Sequence, residues 1–294
     1  MKLIIFLFFT SIQFYSFSYT TKKINQLLTN NVYSKEELFN LKQNEIDLYE
    51  KTANYENLLN SEFIDIYIIV KNPKLISKKL KAIIKLRNHS VGKNEYMYCI
   101  SSYLLSINLL QFSPDEAEKV ILEYIGRAHK INTTDFDELA YRSLGQIEFQ
   151  KKNYMKARYF WRKYAETSKI QKNTLFYSSA INDIALSFLA EGNFKLGLKN
   201  TKRALAIISA NLNSSQNIEF QQHLKCNLAE IYIQLEEYKK AENLLIEAYD
   251  FYKKNNDDNL HKPASILVAL SEIFPINISI NTILFDLNEK KIKF

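Results

Sequence analysis

The side chains best suited to catalysis or metal binding in this chain are four histidines and two cysteines. His89, His129 and His261 have no other histidine or cysteine at the short spacings that metal sites use. His223 lies three residues before Cys226, but no further ligand accompanies that pair. These residues predict no metal site and no cofactor. The histidines are expected to face solvent or line a groove.

Sequence motifs for enzyme chemistry are also missing. The chain holds no glycine-rich phosphate loop and no Gly-x-Ser-x-Gly nucleophile turn. Acidic pairs such as Glu236 and Glu237 fall in connections between apolar segments, which is typical of solvated charge. We therefore predict a protein that is not an enzyme and has no catalytic residues.

The two cysteines, Cys99 and Cys226, are interpreted as small, partly buried residues. An exported protein can form disulfides. In the repeat arrangement described below, however, these residues lie three repeats apart. Their Cα atoms are therefore expected to be too distant for a bond.

Composition indicates long helices and a solvated basic surface. Only 5 glycines and 4 prolines occur in 294 residues, so few positions suit tight turns. A net charge of +7 can indicate binding to nucleic acid or an anionic membrane. Acidic residues stand among the scattered lysines, as in residues 236–242, which favours an ordinary wet surface. The abundant tyrosines and phenylalanines fall at packing positions, so we predict no nucleic-acid partner.

The first residues have the plan of a secretory signal peptide. Lys2 gives a positive start, residues 3–9 are an unbroken apolar run, and Ser16 and Ser18 offer small residues for cleavage near Ser18. We predict a signal peptide at 1–18, a polar linker at 19–33, and export to the periplasm or the exterior of a bacterial cell. The apolar run is short for a stable membrane span. An uncleaved N-terminal anchor is the alternative, and a cleaved product would have no stable span.

One motif recurs along the chain: a small residue follows an aromatic residue by three positions, and an apolar run comes next. The clearest copy begins at Tyr154 and Ala157, and later copies pair Phe194 with Gly197 and Tyr238 with Ala241. A weaker copy has Pro114 before Ala117. The four small residues stand at steps of 40, 40 and 44 residues. A period in this range predicts stacked helix pairs, which hold other molecules instead of transforming them.

Apolar periodicity places helices around each motif. Residues 34–93 form a degenerate N-terminal part, in which residues 63–70 have a buried strand as the alternative to a helix. A clearer solenoid occupies residues 94–274. Its helices are predicted at 95–111, from 113 onward, and at 136–150, 154–167, 175–190, 194–210, 216–235, 238–253 and 264–274.

The C-terminal residues 275–294 change in character. Ile276, Ile278 and Ile280 alternate with polar residues, which is a strand-like period. A small hairpin and an irregular cap are both compatible with this pattern. A chain cut short is a third alternative, because the helix predicted at 264–274 has no following partner in the repeat.

The best unit resembles the tetratricopeptide repeat (TPR), in the long form found in bacterial signalling proteins. Its first helix carries Leu144 and Gly145 three and four residues after Tyr141, and its second carries Ala157 and Trp161. Glu148 departs from the pattern, since the family often has a tyrosine there. Later units match through Ile184, Ala185 and Gly197, and through Leu228, Ala229 and Ala241. The resemblance implies an all-α, right-handed α-solenoid of stacked antiparallel helix pairs, with about five repeats plus a terminal helix.

The resemblance also implies where a ligand binds. In this family the first helix of each pair lines a concave groove that holds an extended peptide or a helix. Ten residues match those positions in the third, fourth and fifth units: Arg142, Gln146, Phe149, Asn182, Leu186, Leu189, His223, Asn227, Glu230 and Gln234. Arg142 suits a carboxylate, and Asn182 or Asn227 suits a peptide backbone.

Two functions are compatible with these features. The first is an exported, non-enzymatic scaffold that binds a protein or peptide in the groove. The alternative is a sensor or regulatory module related to TPR-containing signalling or transcription regulators, shortened before its effector domain. A scaffold for carbohydrate or the cell envelope is a weaker third reading.

Overall fold

The computed structural model describes residues 34–70, 76–110, 112–131, 134, 136–255 and 257–289. Within these residues the secondary structure is helical and contains no strand. The thirteen α-helices are α1 Lys35–Thr52, α2 Tyr55–Val70, α3 Ile76–Ser90, α4 Glu95–Leu109, α5 Pro114–Lys130, α6 Asp137–Gln150, α7 Tyr154–Ile170, α8 Thr174–Ala190, α9 Phe194–Ser209, α10 Ser215–Gln234, α11 Tyr238–Lys254, α12 His261–Ser271 and α13 Ile280–Glu289. A short 3-10 helix, Asp258–Leu260, precedes α12.

The chain divides into two compact units, at Ser143 and Leu144, within α6. In the first unit each helix from α1 to α5 packs against the next one along the chain. Ser34 caps α1: its Oγ accepts a hydrogen bond from the Glu37 backbone N–H at 3.2 Å, and the Glu37 carboxylate accepts one in return. The core of this unit is built from fully buried large side chains, including Phe63, Met97 and Tyr124.

In the second unit the helices from α7 to α13 also pack in sequence order. In addition, α8 contacts α10, and α10 contacts α12. The first helices of successive pairs therefore lie side by side, while α7, α9 and α11 lie behind them. This is the arrangement of an all-α solenoid of stacked helix pairs.

The small residues of the repeated motif sit where two helices of a pair meet. All six of them are buried: Gly145, Ala157, Ala185, Gly197, Ala229 and Ala241. A Cβ on Gly145 would collide with the indole of Trp161, and a Cβ on Gly197 would collide with the side chain of Leu189. The predicted close approach is therefore confirmed at Gly145 and Gly197.

Each pair in the second unit is closed by the same turn. After α6 the backbone N–H of Asn153 donates to the carbonyl of Glu148 at 2.8 Å, and that of Lys152 donates to Phe149 at 2.9 Å. This is the Schellman arrangement. The residue in the left-handed conformation is Lys152 (φ 61°), then Gly192 (φ 75°), then Glu236 (φ 60°). Only one of the three turns thus has the glycine that this backbone conformation favours.

Helix boundaries agree with the sequence-based prediction to within three or four residues. The largest shift is at α3, which is predicted at 75–86 and continues to Ser90. The helix α7 continues three residues further than predicted, to Ile170, and α12 begins three residues earlier, at His261. Residues 63–70 lie in α2, as the favoured interpretation has it. The predicted signal peptide and linker lie outside the described residues. Among the described helices, none combines the length and the apolar character that a membrane crossing requires.

The C-terminal segment requires a correction. Residues 280–289 form α13 instead of a hairpin or an irregular cap. Ile276, Ile278 and Ile280 pack against the core of the second unit, and Ile283 and Leu287 are buried against it one helical turn apart. The alternation of Ile276, Ile278 and Ile280 therefore belongs to an irregular segment that leads into α13. The helix α13 follows α12 and packs against it.

Polar contacts hold this last helix in place. Asp286 accepts hydrogen bonds from the Tyr249 hydroxyl and from Lys253 Nζ, the latter at 2.8 Å. Burial raises the pKa of Asp286, but these two donors outweigh it and lower that pKa below its usual value. The Glu242 carboxylate accepts the backbone N–H of Asn277 and fixes the preceding loop.

Substituting the helix-contact glycines tests the packing. We expect Gly145→Ala and Gly197→Ala each to lower the free energy of unfolding by about 1–3 kcal/mol, because an added methyl group forces a packed side chain to move. Gly126→Ala is the control, since no atom lies within 4 Å of a Cβ at that exposed position in α5. Helix propensity alone should make the Gly126→Ala substitution stabilising by about 0.5–1 kcal/mol. Urea unfolding measures all three, and a stabilising Gly145→Ala would contradict the proposed contact.

The turns give a second test. We expect Lys152→Gly and Glu236→Gly each to raise the free energy of unfolding by about 0.5–1 kcal/mol, because glycine adopts the left-handed conformation without strain. Gly192→Ala should lower it by a similar amount. Lys151→Gly, one residue away at the end of its helix, is the matched control and should not stabilise. Urea unfolding measures all four variants. Equal changes in the free energy of unfolding for Lys151→Gly and Lys152→Gly would show that the left-handed conformation is not the cause.

Candidate functional site

The face that α8, α10 and α12 present together is the candidate site. These three helices are the first members of their pairs, and their mutual contacts bring their side chains onto one surface. On α10, the positions of His223, Asn227, Glu230 and Gln234 follow a spacing of four, three and four residues, which is one side of a helix. The opposite side carries Ala229 into the contact with α11.

A chain of polar contacts crosses this face. Asn227 Nδ2 donates a hydrogen bond to Asn182 Oδ1 at 3.3 Å, and Lys262 Nζ donates to Asn227 Oδ1 at 2.7 Å. Asn182 is 4% exposed and Asn227 is 5% exposed. The hydrogen bonds of the two amides therefore link α8, α10 and α12, and the Lys262 ammonium is the last group in this series.

A shallow cavity of about 240 Å³ lies beside these hydrogen bonds, between α10 and α12. Its lining combines apolar and polar side chains: Glu230, Ile233, Gln234, Ser265, Ile266 and Ala269. Glu230 and Gln234 are exposed at its edge. Two of the residues predicted for the groove thus meet, together with residues of α12 that the sequence motif did not single out.

Other predicted groove residues have different surroundings. Phe149 lies 5.5 Å from the ring of Tyr154 and 5.6 Å from that of Trp161, centroid to centroid, and Leu189 meets Gly197. Both therefore pack within their own helix pair. The reason is their spacing, since each stands four residues after a small contact residue and shares its face.

The remaining predicted residues are half-buried. Gln146 and Leu186 are on α6 and α8, and His223 stacks its ring against Phe220 with the centroids 6.2 Å apart. Arg142 is also half-buried, and it belongs to the first unit.

Several charged residues in the helix contacts were not predicted. Glu148, only 1% exposed, accepts hydrogen bonds from Asn153 Nδ2 at 2.9 Å and from Lys156. Burial raises the pKa of Glu148, but these donors outweigh it and lower that pKa below its usual value. Glu148 stands where the repeat pattern often has a tyrosine, and its charge is therefore stabilised by hydrogen bonds from Asn153 and Lys156.

Arginine side chains form two further sets of contacts between helices. In the second unit Arg158 forms a bidentate ion pair with Glu191, at 2.7 and 3.1 Å, and lies 4.4 Å over the ring of Phe188. In the first unit Arg87 and Arg127 stand at 4.6 and 4.3 Å from the centroid of the Tyr98 ring. The carboxylates of Glu191, Glu123 and Glu95 lie 32 to 36 residues from Arg158, Arg87 and Arg127, so spacing alone did not reveal these pairs. Arg127 also contacts Glu123, four residues before it, at 3.3 Å.

The cysteines and histidines do not build a reactive centre in the described part of the chain. Cys99 and Cys226 are free and completely buried, more than the partial burial predicted. Burial raises the pKa of each thiol to about 12, so neither is a thiolate near neutral pH. His89 contacts Glu62 at 2.8 Å and His129 contacts Asp137 at 2.9 Å. Among the described residues, no group of three or more histidine, cysteine or acidic side chains could hold a metal ion.

Known structures of low sequence identity share this architecture. BtubC (BKLC) from P. vanneervenii is 14% identical, with a TM-score of 0.63 over 76% of this chain and 91% of that one. The apo form of RapI is 12% identical, with a TM-score of 0.67 over 93% of this chain and 76% of that one. The chain has the fold of TPR-like repeat proteins. No family model and no curated protein matches the sequence.

A third TPR-like neighbour is larger than this chain. A signal-transduction ATPase with a tetratricopeptide-repeat sensor, from Pyrococcus horikoshii, is 16% identical with a TM-score of 0.57. The match covers 92% of this chain and 49% of the ATPase. At these identities the likeness shows the fold alone.

A double-mutant cycle tests the polar chain of the TPR-like face. We expect Asn227→Leu to lower the free energy of unfolding by about 1–3 kcal/mol, because it leaves Asn182 and Lys262 without their buried partner. Adding Asn182→Leu should then cost less than it does in the wild type, with a coupling of about 0.5–1 kcal/mol. Strict additivity in urea unfolding would show that the two amides do not interact.

Proposed function

We propose that this protein is a non-enzymatic binding protein that holds a protein or peptide segment on the face of α8, α10 and α12. The observation that supports it most directly is the cavity between α10 and α12, which combines apolar walls with the exposed polar ends of Glu230 and Gln234. TPR-like folds generally act as scaffolds, which agrees with this proposal.

The packing of this face favours a preorganised surface. Its backbone is fixed by helix contacts, and the Asn182–Asn227–Lys262 chain fixes the side chains beside the cavity. A rigid face lowers the entropy that must be lost when a partner binds. Ile233 and Ile266 offer apolar contact, while Gln234 and Ser265 supply hydrogen-bonding groups.

A charge-matched pair of variants tests this site. Glu230→Lys with Gln234→Lys adds three positive charges at the cavity. Asn243→Lys with Asp250→Lys adds the same three charges on the exposed side of α11. Partners would be captured by a photoreactive amino acid placed at Ile266, identified by mass spectrometry, and the bound segment measured by calorimetry.

We expect the cavity variant to weaken binding of that segment at least about tenfold, because it alters a central contact of the site. The α11 variant should change the dissociation constant less than about twofold, as rim or remote charges do. Equal affinities for both variants would remove the assigned face.

A sensor or regulatory module is the second candidate, favoured by the likeness to the repeat sensor of the signal-transduction ATPase. Both candidates use the same face for recognition. Export, directed by a cleaved signal at residues 1–18, is part of the first proposal. N-terminal sequencing of the native protein would test it, and a chain that still begins at Met1 in the cytosol would refute it.

A further inference from the structure

The second helices of two adjacent pairs carry different outward residues at equivalent positions. On α7 these are Met155, Tyr159 and Arg162, and all three are exposed. On α9, 40 residues later, the same positions hold Lys195, Lys199 and Lys202, also exposed. Because α7 and α9 both pack on α8, their outward positions belong to one side of the second unit.

The lysines of α9 form a stripe of one charge sign. Their spacing of four and three residues places them on one side of the helix over roughly 10 Å. The helix has one other charged residue, Arg203, which donates a hydrogen bond to the Tyr177 hydroxyl at 2.8 Å, and it has no acidic residue. Neither Lys195 nor Lys199 forms an ion pair with any residue that the structure describes, and Lys202 Nζ lies 5.4 Å from the centroid of the Tyr232 ring. The scattered, balanced charge expected from the sequence does hold on α11, but not on α9.

A depression lies between the start of α7 and the turn that leads into α9. It encloses about 600 Å³ and is lined by Lys152, Asn153, Tyr154, Met155, Lys156, Tyr159 and Glu191. Met155 is 79% exposed and Tyr159 is 54% exposed there. Its one acidic residue, Glu191, is neutralised by the bidentate pair with Arg158.

We propose that this depression and the lysine stripe of α9 form a second docking surface, distinct from the face of α8, α10 and α12. Its partner is an acidic protein segment that inserts an apolar side chain between Met155 and Tyr159. The charge on the surface supports this partner. Lys152 lines the depression, and Lys195, Lys199 and Lys202 stand on the second helix of the next pair. The one carboxylate in the lining, that of Glu191, is paired with Arg158. A concave floor suits an inserted side chain better than a lipid bilayer, which binds apolar side chains that project outward.

The experiment uses the full chain and a labelled synthetic peptide in which one phenylalanine is flanked on both sides by glutamates. Binding is measured by fluorescence anisotropy. Lys195→Gln, Lys199→Gln and Lys202→Gln are combined in one variant. Lys119→Gln, Lys169→Gln and Lys254→Gln are combined in a control that removes the same charge from exposed positions elsewhere. Circular dichroism verifies that both variants are folded.

We expect the α9 variant to raise the dissociation constant of the peptide about tenfold, as three exposed charge contacts of ordinary strength would. The control variant should change it less than about twofold. Met155→Ala with Tyr159→Ala should weaken binding by a similar factor, whereas Ile170→Ala, at an 81% exposed position on the same helix, should have no effect.

Two further probes decide the class of partner. A peptide with serine in place of phenylalanine should bind more weakly than the original. Vesicles of phosphatidylcholine containing phosphatidylserine, and a single-stranded DNA, should bind less tightly than the peptide and without dependence on Met155. Absence of peptide binding, equal loss in the two lysine variants, or a preference for vesicles or DNA would each overturn the proposal.

Discussion

The close approach of two helices at a small residue is the constraint on which the structure of the second unit depends. At Gly145 the indole of Trp161 occupies the space that a side chain would fill, and at Gly197 the side chain of Leu189 does so. Such contacts fix the distance and register of each pair. The aromatic and aliphatic residues around them then have one arrangement available, and the outward and groove-facing positions follow from it.

The repeated turn converts this local contact into a repeating structure. The left-handed residues Lys152, Gly192 and Glu236 stand 40 and 44 residues apart, in step with the small residues. Side chains at these turns are tolerated in spite of the strain because the helices on both sides are held by buried contacts. Glu148 and Arg158 show the same tolerance, since each brings a charge into a helix contact and meets its partner there.

The sequence predicted the helix pairs well because their determinants are local. A small residue, an aromatic three positions earlier and an apolar run together specify the contact, the turn and the buried stripe. The prediction failed for α13 because its packing is not local: Ile276, Ile278 and Ile280 alternate along the chain, yet all pack against the second unit. It also placed Phe149 and Leu189 in the groove, although their four-residue distance from Gly145 and Ala185 turns them toward the partner helix.

The candidate site was predictable only in part, for a related reason. Glu230 and Gln234 share a helix face that the repeat pattern marks, but Ser265 and Ile266 come from α12, where the pattern has faded. Asn227 donates a hydrogen bond to Asn182 and accepts one from Lys262, which lies 35 residues beyond Asn227. Contacts between repeats join residues that no short motif contains. Residues that face a neighbouring repeat are therefore the ones for which coordinates add most to the sequence.

The solenoid separates positions that must be conserved in size from positions that are free to change. The contact positions on α7, α9 and α11 are Ala157, Gly197 and Ala241, all small, because a neighbouring helix limits them. The first outward positions of the same helices are Met155, Lys195 and Lys239, so a neutral methionine and two charged lysines occupy equivalent places. Packing does not require a stripe of lysines on α9 or an exposed methionine on α7. Since mutual repulsion among like charges and exposed apolar area both disfavour these choices, the proposed docking of an acidic segment gives them one common physical explanation.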